Sequence, residues 1–403
     1  MLLEILSKIK SFVQACDKLT LCFSLVVLNQ LFGCTPSFPP MILYSSYIVY
    51  ALYVLLCRVD FLHKGMALFL LYIPVELLIT APNAVFRSWE RYVFFVLLIV
   101  CVSPLLSSER LYTARLNMFR IVLFLSVIIG VGSFIARFVG INYMFQGDID
   151  KYAGVGLFGG ITTHSMLLGP VAGIGAIYMS YCGYECRKWI YWACAACCLF
   201  AVMFSASRAA LMSSLAGIVV TLYKQSGATS RFIRMGVVLG LIFMVSYPVW
   251  GGALDAVKQK NEGNKKAGSV ISSRENLWDA RIAEFQRSPV LGVGFTAVDD
   301  AVKGGSRLYD VNTGMVESGS SWLMILSMTG LIGGIFLLPV FVSSFFLVWR
   351  DPCSFSALIS GVLILFYVHM IAEGYIFYAG STLTFIMWLT VGVAHDCKYV
   401  WRE

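Results

Sequence analysis

SWLMILSMTGLIGGIFLLPVFVSSFFLVW, residues 321–349, contains no Asp, Glu, Lys, Arg or His. A helix needs about 20 apolar residues to cross the hydrocarbon core of a bilayer, so this stretch reads as a transmembrane helix. Glu317 precedes it and Arg350 follows it. Working outward, apolar runs bounded by charge place further spans near 20–34, 41–57, 64–80, 90–106, 117–140, 155–182, 188–204, 208–223, 233–250, 355–373 and 376–395. The spacing predicts about 12 transmembrane helices in a single membrane domain over 1–403, an all-α polytopic membrane protein. Pro74, Glu76 and Pro82 interrupt the third span and crowd the fourth, and merging those two would reverse every later loop.

Composition excludes a soluble chain. Of the 403 residues 59% are hydrophobic and 13% charged, against about 45–50% and about 25% in soluble domains. The twelve cysteines lie in or beside apolar runs and read as small hydrophobes rather than disulfide partners. The tight group Cys194, Cys197 and Cys198 has no His or carboxylate beside it and is read as packing.

Charge sets the orientation, because Lys and Arg concentrate in short cytoplasmic loops. With the N-terminus inside, the inside segments hold sixteen basic residues, from Lys8 to Arg402, and the short outside segments only Arg87, Arg91, Arg137, Lys151 and Arg208. Both termini are therefore expected in the cytoplasm, with the first apolar run retained rather than cleaved. The net charge of +8 is mostly this signal and does not call for nucleic acid.

The segment 251–318 then faces the exterior and is the only hydrophilic stretch of any size. It opens with KQKNEGNKKAGS, a solvated run. Ser272 with Glu275 has capping-box spacing, and an amphipathic helix over about 273–287 follows, stopped by Pro289. Its apolar side is Leu277, Trp278, Ile282 and Phe285, as a helix lying on the membrane would have. Arg274, Trp278 and Arg281 fall on one stripe at i, i+4 and i+7. LGVGF follows as a glycine-rich turn.

Three segments carry a resemblance: SASRAALMSSLAG (205–217) with Arg208; Arg274 and Trp278 through Pro289, Gly292 and Gly294; and ESGSSW (317–322) followed by Gly330 and Gly333. Their order resembles the family of O-antigen ligases and polysaccharide polymerases that act on undecaprenyl-diphosphate-linked glycans. Lys151 through Gly169, with GLFGG and His164, is similar to that family's outer segment before the sixth span. The resemblance covers about 150–345. Ligases of the family have a His nine residues before their GxxG; here that place holds Gly319-Ser320, and no His lies in the loop. ESGSSW is closer to the polymerase branch. The resemblance implies a metal-independent glycosyltransferase of GT-C-like architecture, without a cofactor. It would sit in the bacterial inner membrane with its active site periplasmic, and a chain-length regulator and a flippase would be its partners beside membrane lipids.

Transfer from a lipid diphosphate needs cations on the departing diphosphate and a base at the acceptor hydroxyl. Arginine grips phosphate oxygens with two donors at once, which makes Arg208, Arg274 and Arg281 candidates, with Glu317 as a base provided burial raises its pKa. Lys151, Trp278 and His164 are candidate substrate contacts. Each has a plainer reading beside it. Arg208 can be an interface anchor, Arg274 and Arg281 part of a surface helix laced with Glu275, Asp279 and Glu284, Trp278 an interface or core residue, and Glu317 a helix-start carboxylate. His164 can be a hydrogen-bonded structural group, and Asp148 and Asp150 a plain loop. Glu373, near the turn between the last two spans, faces either the same cavity or solvent. No P-loop, HExxH or paired metal motif occurs. The rival from another class is a flippase or secondary transporter, against which the sequence shows no internal repeat.

Overall fold

The computed structural model describes residues 17–144, 158–227, 274–302 and 309–396. Within them lie twelve α-helices: α1 Lys18–Leu28, α2 Pro40–Leu56, α3 Lys64–Thr80, α4 Ser88–Val102, α5 Glu109–Val139, α6 Ser165–Cys186, α7 Trp189–Phe204, α8 Arg208–Ser226, α9 Glu275–Arg287, α10 Ser321–Arg350, α11 Ser354–Ala372 and α12 Thr382–Asp396. The expected span at 233–250 lies outside the described residues. Four helices, α5, α6, α10 and α11, are long and apolar enough to cross a membrane. The outer side of α2 shows Met41, Leu52, Leu55 and Leu56 to the surroundings, Leu56 at 87% exposure, a surface that lipid covers without cost and water does not.

The questionable region near Pro74 holds two helices. Pro74 is accommodated inside α3, and Ala81 ends that helix in a left-handed conformation before α4 begins. Other boundaries differ from the apolar runs, α5 for one beginning at Glu109 rather than near 117. The sixth span was expected from 155, but α6 starts at Ser165, capped by the His164 ring, whose Nδ1 accepts from Met166 N–H at 3.0 Å. The preceding residues form a turn in which Asn142 Oδ1 accepts from Gly159 N–H and Gly160 O from Tyr143 N–H. The last span was expected from 376, yet α12 begins at Thr382, after a loop in which Tyr375 O accepts from Tyr378 N–H and Thr384 Oγ1.

Connecting turns gather at two ends. At one, Gly294 lies against Thr80 and Pro82, Gly314 against Val85, and Gly33 against Tyr143. At the other, β1 (Phe61–Leu62) pairs antiparallel with β2 (Leu106–Ser107), Lys224 donates to Val348 O and Ser356 Oγ, and buried Arg115 pairs with buried Asp396 at 2.5 Å. Between the ends the helices approach closely over small residues. Gly217 meets the Gly361 carbonyl, Gly173 meets Ser214, and Cys198 packs on Gly130, as expected where packing rather than water drives helices together.

α10 is broken at Gly330 (φ 64°, ψ −168°), a region that in practice only glycine occupies. The break frees backbone groups, and the 289–294 segment of the long loop takes them up. Leu331 N–H donates to Pro289 O at 2.8 Å, Ile332 N–H to Val290 O at 3.3 Å, Val293 N–H to Ser327 O at 2.9 Å and Gly294 N–H to Met328 O at 3.2 Å. A Cβ on Gly292 would lie 2.4 Å from Met328 O, so the approach requires glycine there too. Buried Glu76 of α3 secures the same segment, accepting from Phe295 N–H at 3.2 Å. The PxxGxG and GxxG sequences thus dock one loop into one helix, satisfying backbone that would otherwise be orphaned inside the bundle.

Candidate active site

α9 begins at Arg274, its N-cap, whose side chain makes no cap bond. The predicted cap, Ser272, lies outside the described residues. The Arg274 guanidinium instead bridges two carboxylates. Nη1 donates to Glu317 Oε1 at 3.1 Å, and Nη2 lies 2.8 Å from each oxygen of Glu373. Three elements therefore converge: the start of α9, the segment just before α10, and the end of α11.

Backbone bonds lock the last two together. The Glu373 carbonyl accepts from Ser321 N–H at 3.0 Å and from Ser321 Oγ at 2.8 Å, and Ser320 Oγ donates to Met370 O at 3.2 Å. Tyr378 Oη donates to Val316 O at 3.1 Å and lies 2.6 Å from Ser318 Oγ. Trp278 Nε1 donates to Gly319 O at 3.2 Å, which ties α9 to the same segment. One turn before Glu373, buried His369 places Nδ1 3.2 Å from the Tyr375 hydroxyl. The Trp278→Phe change removes the indole N–H together with part of the ring's contact surface and leaves Gly319 O to find water. It is expected to cost about 1 kcal/mol of stability, the usual net worth of one such bond, measured as a modest drop in the melting transition in detergent.

The expected residues fare differently. Arg274 and Glu317 meet. The burial expected of Glu317 is not present, since its side chain is 65% exposed. Trp278 is half-buried and serves as a tie between segments.

Arg281 departs furthest from expectation. Instead of lining the outer stripe, it is fully buried, paired with Glu284 at 2.7 Å and donating to Ala297 O. Glu284 accepts in turn from Asp299 N–H at 3.1 Å. The buried face of α9 is thus Ala280, Arg281 and Glu284, while Ile282 of the expected apolar side is exposed. An i, i+3 pair cancels its own charge and can turn inward when backbone groups add to its bonding, although Arg281 Nε and Nη2 have no hydrogen-bond partner among the described residues. Burial still raises the Glu284 carboxyl above its ordinary range, with the Arg281 charge working against that.

Arg208 is the first residue of α8, which Ser207 caps by accepting from Ala210 N–H at 3.3 Å. α8 and α11 run antiparallel with Gly217 beside Gly361. Nine residues from each toward the site end reach Arg208 and Met370, one turn short of Glu373, so the register brings the start of α8 to the level of the Arg274 cluster. His164 is a helix cap, as its structural reading had it. Lys151, Asp148 and Asp150 lie outside the described residues. A cavity of about 280 Å³ lined by Glu185, Lys224 and Arg350 lies at the opposite end and includes none of the expected residues.

Arg208, Arg274, Trp278, Arg281 and Glu317 all fall in one continuous stretch, and that stretch is the part of the chain that a known family resembles. Residues 193–338 match the O-antigen ligase family. No curated protein matches the chain. The match supports the O-antigen ligase and polymerase family without separating its branches, and with it a ligase- or polymerase-like, glycosyltransferase-like role in polysaccharide assembly on lipid-linked substrates. Together with the apolar helices it makes this a membrane protein. Glu373 and His369 lie beyond the matched residues. Sequence reasoning weighed Glu373 only as an even choice and missed His369. Their i, i+4 spacing at the end of an apolar run puts the two on one face of α11 but does not point to Arg274.

Proposed function

We propose that the protein is a polysaccharide polymerase of the inner membrane. It transfers a glycan from an undecaprenyl-diphosphate-linked donor to the end sugar of another lipid-linked repeat unit. The observation that carries this reading is the Arg274–Glu317–Glu373 cluster at one end of the bundle: a guanidinium fit for phosphate oxygens beside an accessible carboxylate. The bond from the donor sugar C1 to the diphosphate oxygen breaks, and the acceptor hydroxyl oxygen bonds to C1. Its proton passes to Glu317, and undecaprenyl diphosphate leaves as an anion held by Arg274, with Arg208 and Lys151 as further cations. Trp278 and His164 complete the set of proposed substrate contacts, and buried Arg281 supports the segment from beneath. The architecture is read as GT-C-like, metal-independent and without a cofactor. Both termini are cytoplasmic and the cluster periplasmic, with a flippase supplying donor and a chain-length regulator beside it. Charged groups gathered at one end favour transfer over transport, which places its sites near the midplane.

Polymerase is preferred to ligase because the place of the ligases' His holds Gly319-Ser320 here, and the nearest titratable group is Glu317 two residues before it. The purified full chain, given an undecaprenyl-diphosphate oligosaccharide and no other acceptor, is expected to build a ladder of lengthening products. Product formed only when lipid A core is added would make it a ligase. Glu317→Gln is expected to slow extension about a hundredfold, the usual worth of a general base; an undiminished rate would remove Glu317 from that role.

A further inference from the structure

We infer that Glu373 is the positioning residue that aims Arg274, and that a donor phosphate oxygen takes the place Glu317 now holds on the same guanidinium. The inference rests on the transfer reading above.

The two carboxylates on Arg274 are unequal. Glu373 uses both oxygens at 2.8 Å, its side chain is 18% exposed, and its backbone is bonded to Ser321 at the start of α10 and to His369 one turn back. Its main chain is fixed to the junction of α10 and α11, and its side chain is largely enclosed. Glu317 uses one oxygen at 3.1 Å from a side chain 65% exposed. A pair so open to water contributes little and is readily exchanged.

Competition for one guanidinium favours the exchange, because Glu317 and Glu373 hold donors that a diphosphate would otherwise use. An incoming phosphate oxygen can take Nη1 only if Glu317 leaves it. Glu317 leaves at least cost, and Glu373 continues to hold Nη2 and so the plane of the fork. The departing carboxylate remains on the segment that begins α10, beside the bound donor. While Glu317 Oε1 holds Arg274 Nη1 it is not open to an acceptor hydroxyl, and once released it is. Seating the donor thus frees the base, so deprotonation of an acceptor waits until a donor is present.

The test measures binding of undecaprenyl diphosphate to the full chain in lipid nanodiscs, with donor KM and kcat measured in parallel. Glu317→Gln is expected to bind two- to fivefold more tightly than wild type, because a competing charge is gone, while kcat falls. Glu373→Gln is expected to bind about tenfold more weakly, as when a partner that orients a ligating group is removed. Glu373→Asp, which keeps the charge, should recover part of that loss. Weaker binding by Glu317→Gln, or unchanged binding by Glu373→Gln, overturns the inference. The Glu317 arm alters an exposed side chain, so the test stays decisive even if Glu373→Gln loses its fold. Wild type that fails to bind undecaprenyl diphosphate, or Arg274→Ala that binds as wild type does, overturns the transfer reading itself, a different outcome.

Discussion

Arg274→Ala is expected to reduce glycan transfer by about a thousandfold, while the protein still inserts and extracts from the membrane intact. Removal of one preorganised donor from a site that stabilises developing negative charge costs about 10²–10³ in rate, and alanine here removes several donors together. It also leaves Glu317 and Glu373 facing each other without the guanidinium between them, which adds repulsion against an arriving diphosphate. Arg274→Lys restores the charge, but a single ammonium cannot hold Glu373 on one side and present a planar fork on the other. It is expected to recover less than about a tenth of the lost activity. Rates of extension from a defined lipid-linked oligosaccharide, normalised to folded protein, check both variants; a lysine variant at full activity would show that charge alone suffices.

Gly330→Ala is expected to destabilise the protein by about 3 kcal/mol or more. A non-glycine residue in this backbone region costs on the order of 1–3 kcal/mol. The added Cβ would also lie 2.2 Å from Val290 O and 2.4 Å from Val290 C, so the loop would have to lift away. Lifting it breaks the Leu331 and Ile332 bonds to Pro289 and Val290. The Tyr72 hydroxyl, 3.1 Å from Leu291 O and 3.0 Å from Thr329 O, would lose one of the two carbonyls it spans. The measurement is the melting transition in detergent, together with the yield of monodisperse protein. A variant that melts as wild type does would mean the break at Gly330 contributes nothing to docking the loop.

The parts of this fold that depend on local pattern were legible in the chain. A run of 29 uncharged residues is α10 in either reading, and a Pro inside 64–80 did not prevent a helix because the other residues kept the apolar pattern. The start of α6 was hidden because the turn at 158–163 is itself apolar or small, so hydropathy continues across a backbone that does not. Arg274 and Glu317 were found from the order of their segments, 43 positions apart. Glu373 completes the cluster from α11, 99 positions from Arg274, and no local spacing announces that meeting. Arg281 illustrates the opposite failure. Its helical phase with Arg274 was read correctly, but a helical wheel places arginine outward by default, and only the packing shows that Glu284 and the Ala297 carbonyl give it partners inside.

The measurement that bears most directly on the account counts products. The full chain in nanodiscs receives an undecaprenyl-diphosphate oligosaccharide, and the undecaprenyl diphosphate released is compared with the glycosidic bonds formed. The expected result is one released lipid diphosphate per bond for wild type, with both quantities lost together in Arg274→Ala. Intact donor moved across a vesicle membrane with no diphosphate released, or bond formation undiminished without Arg274, would contradict it.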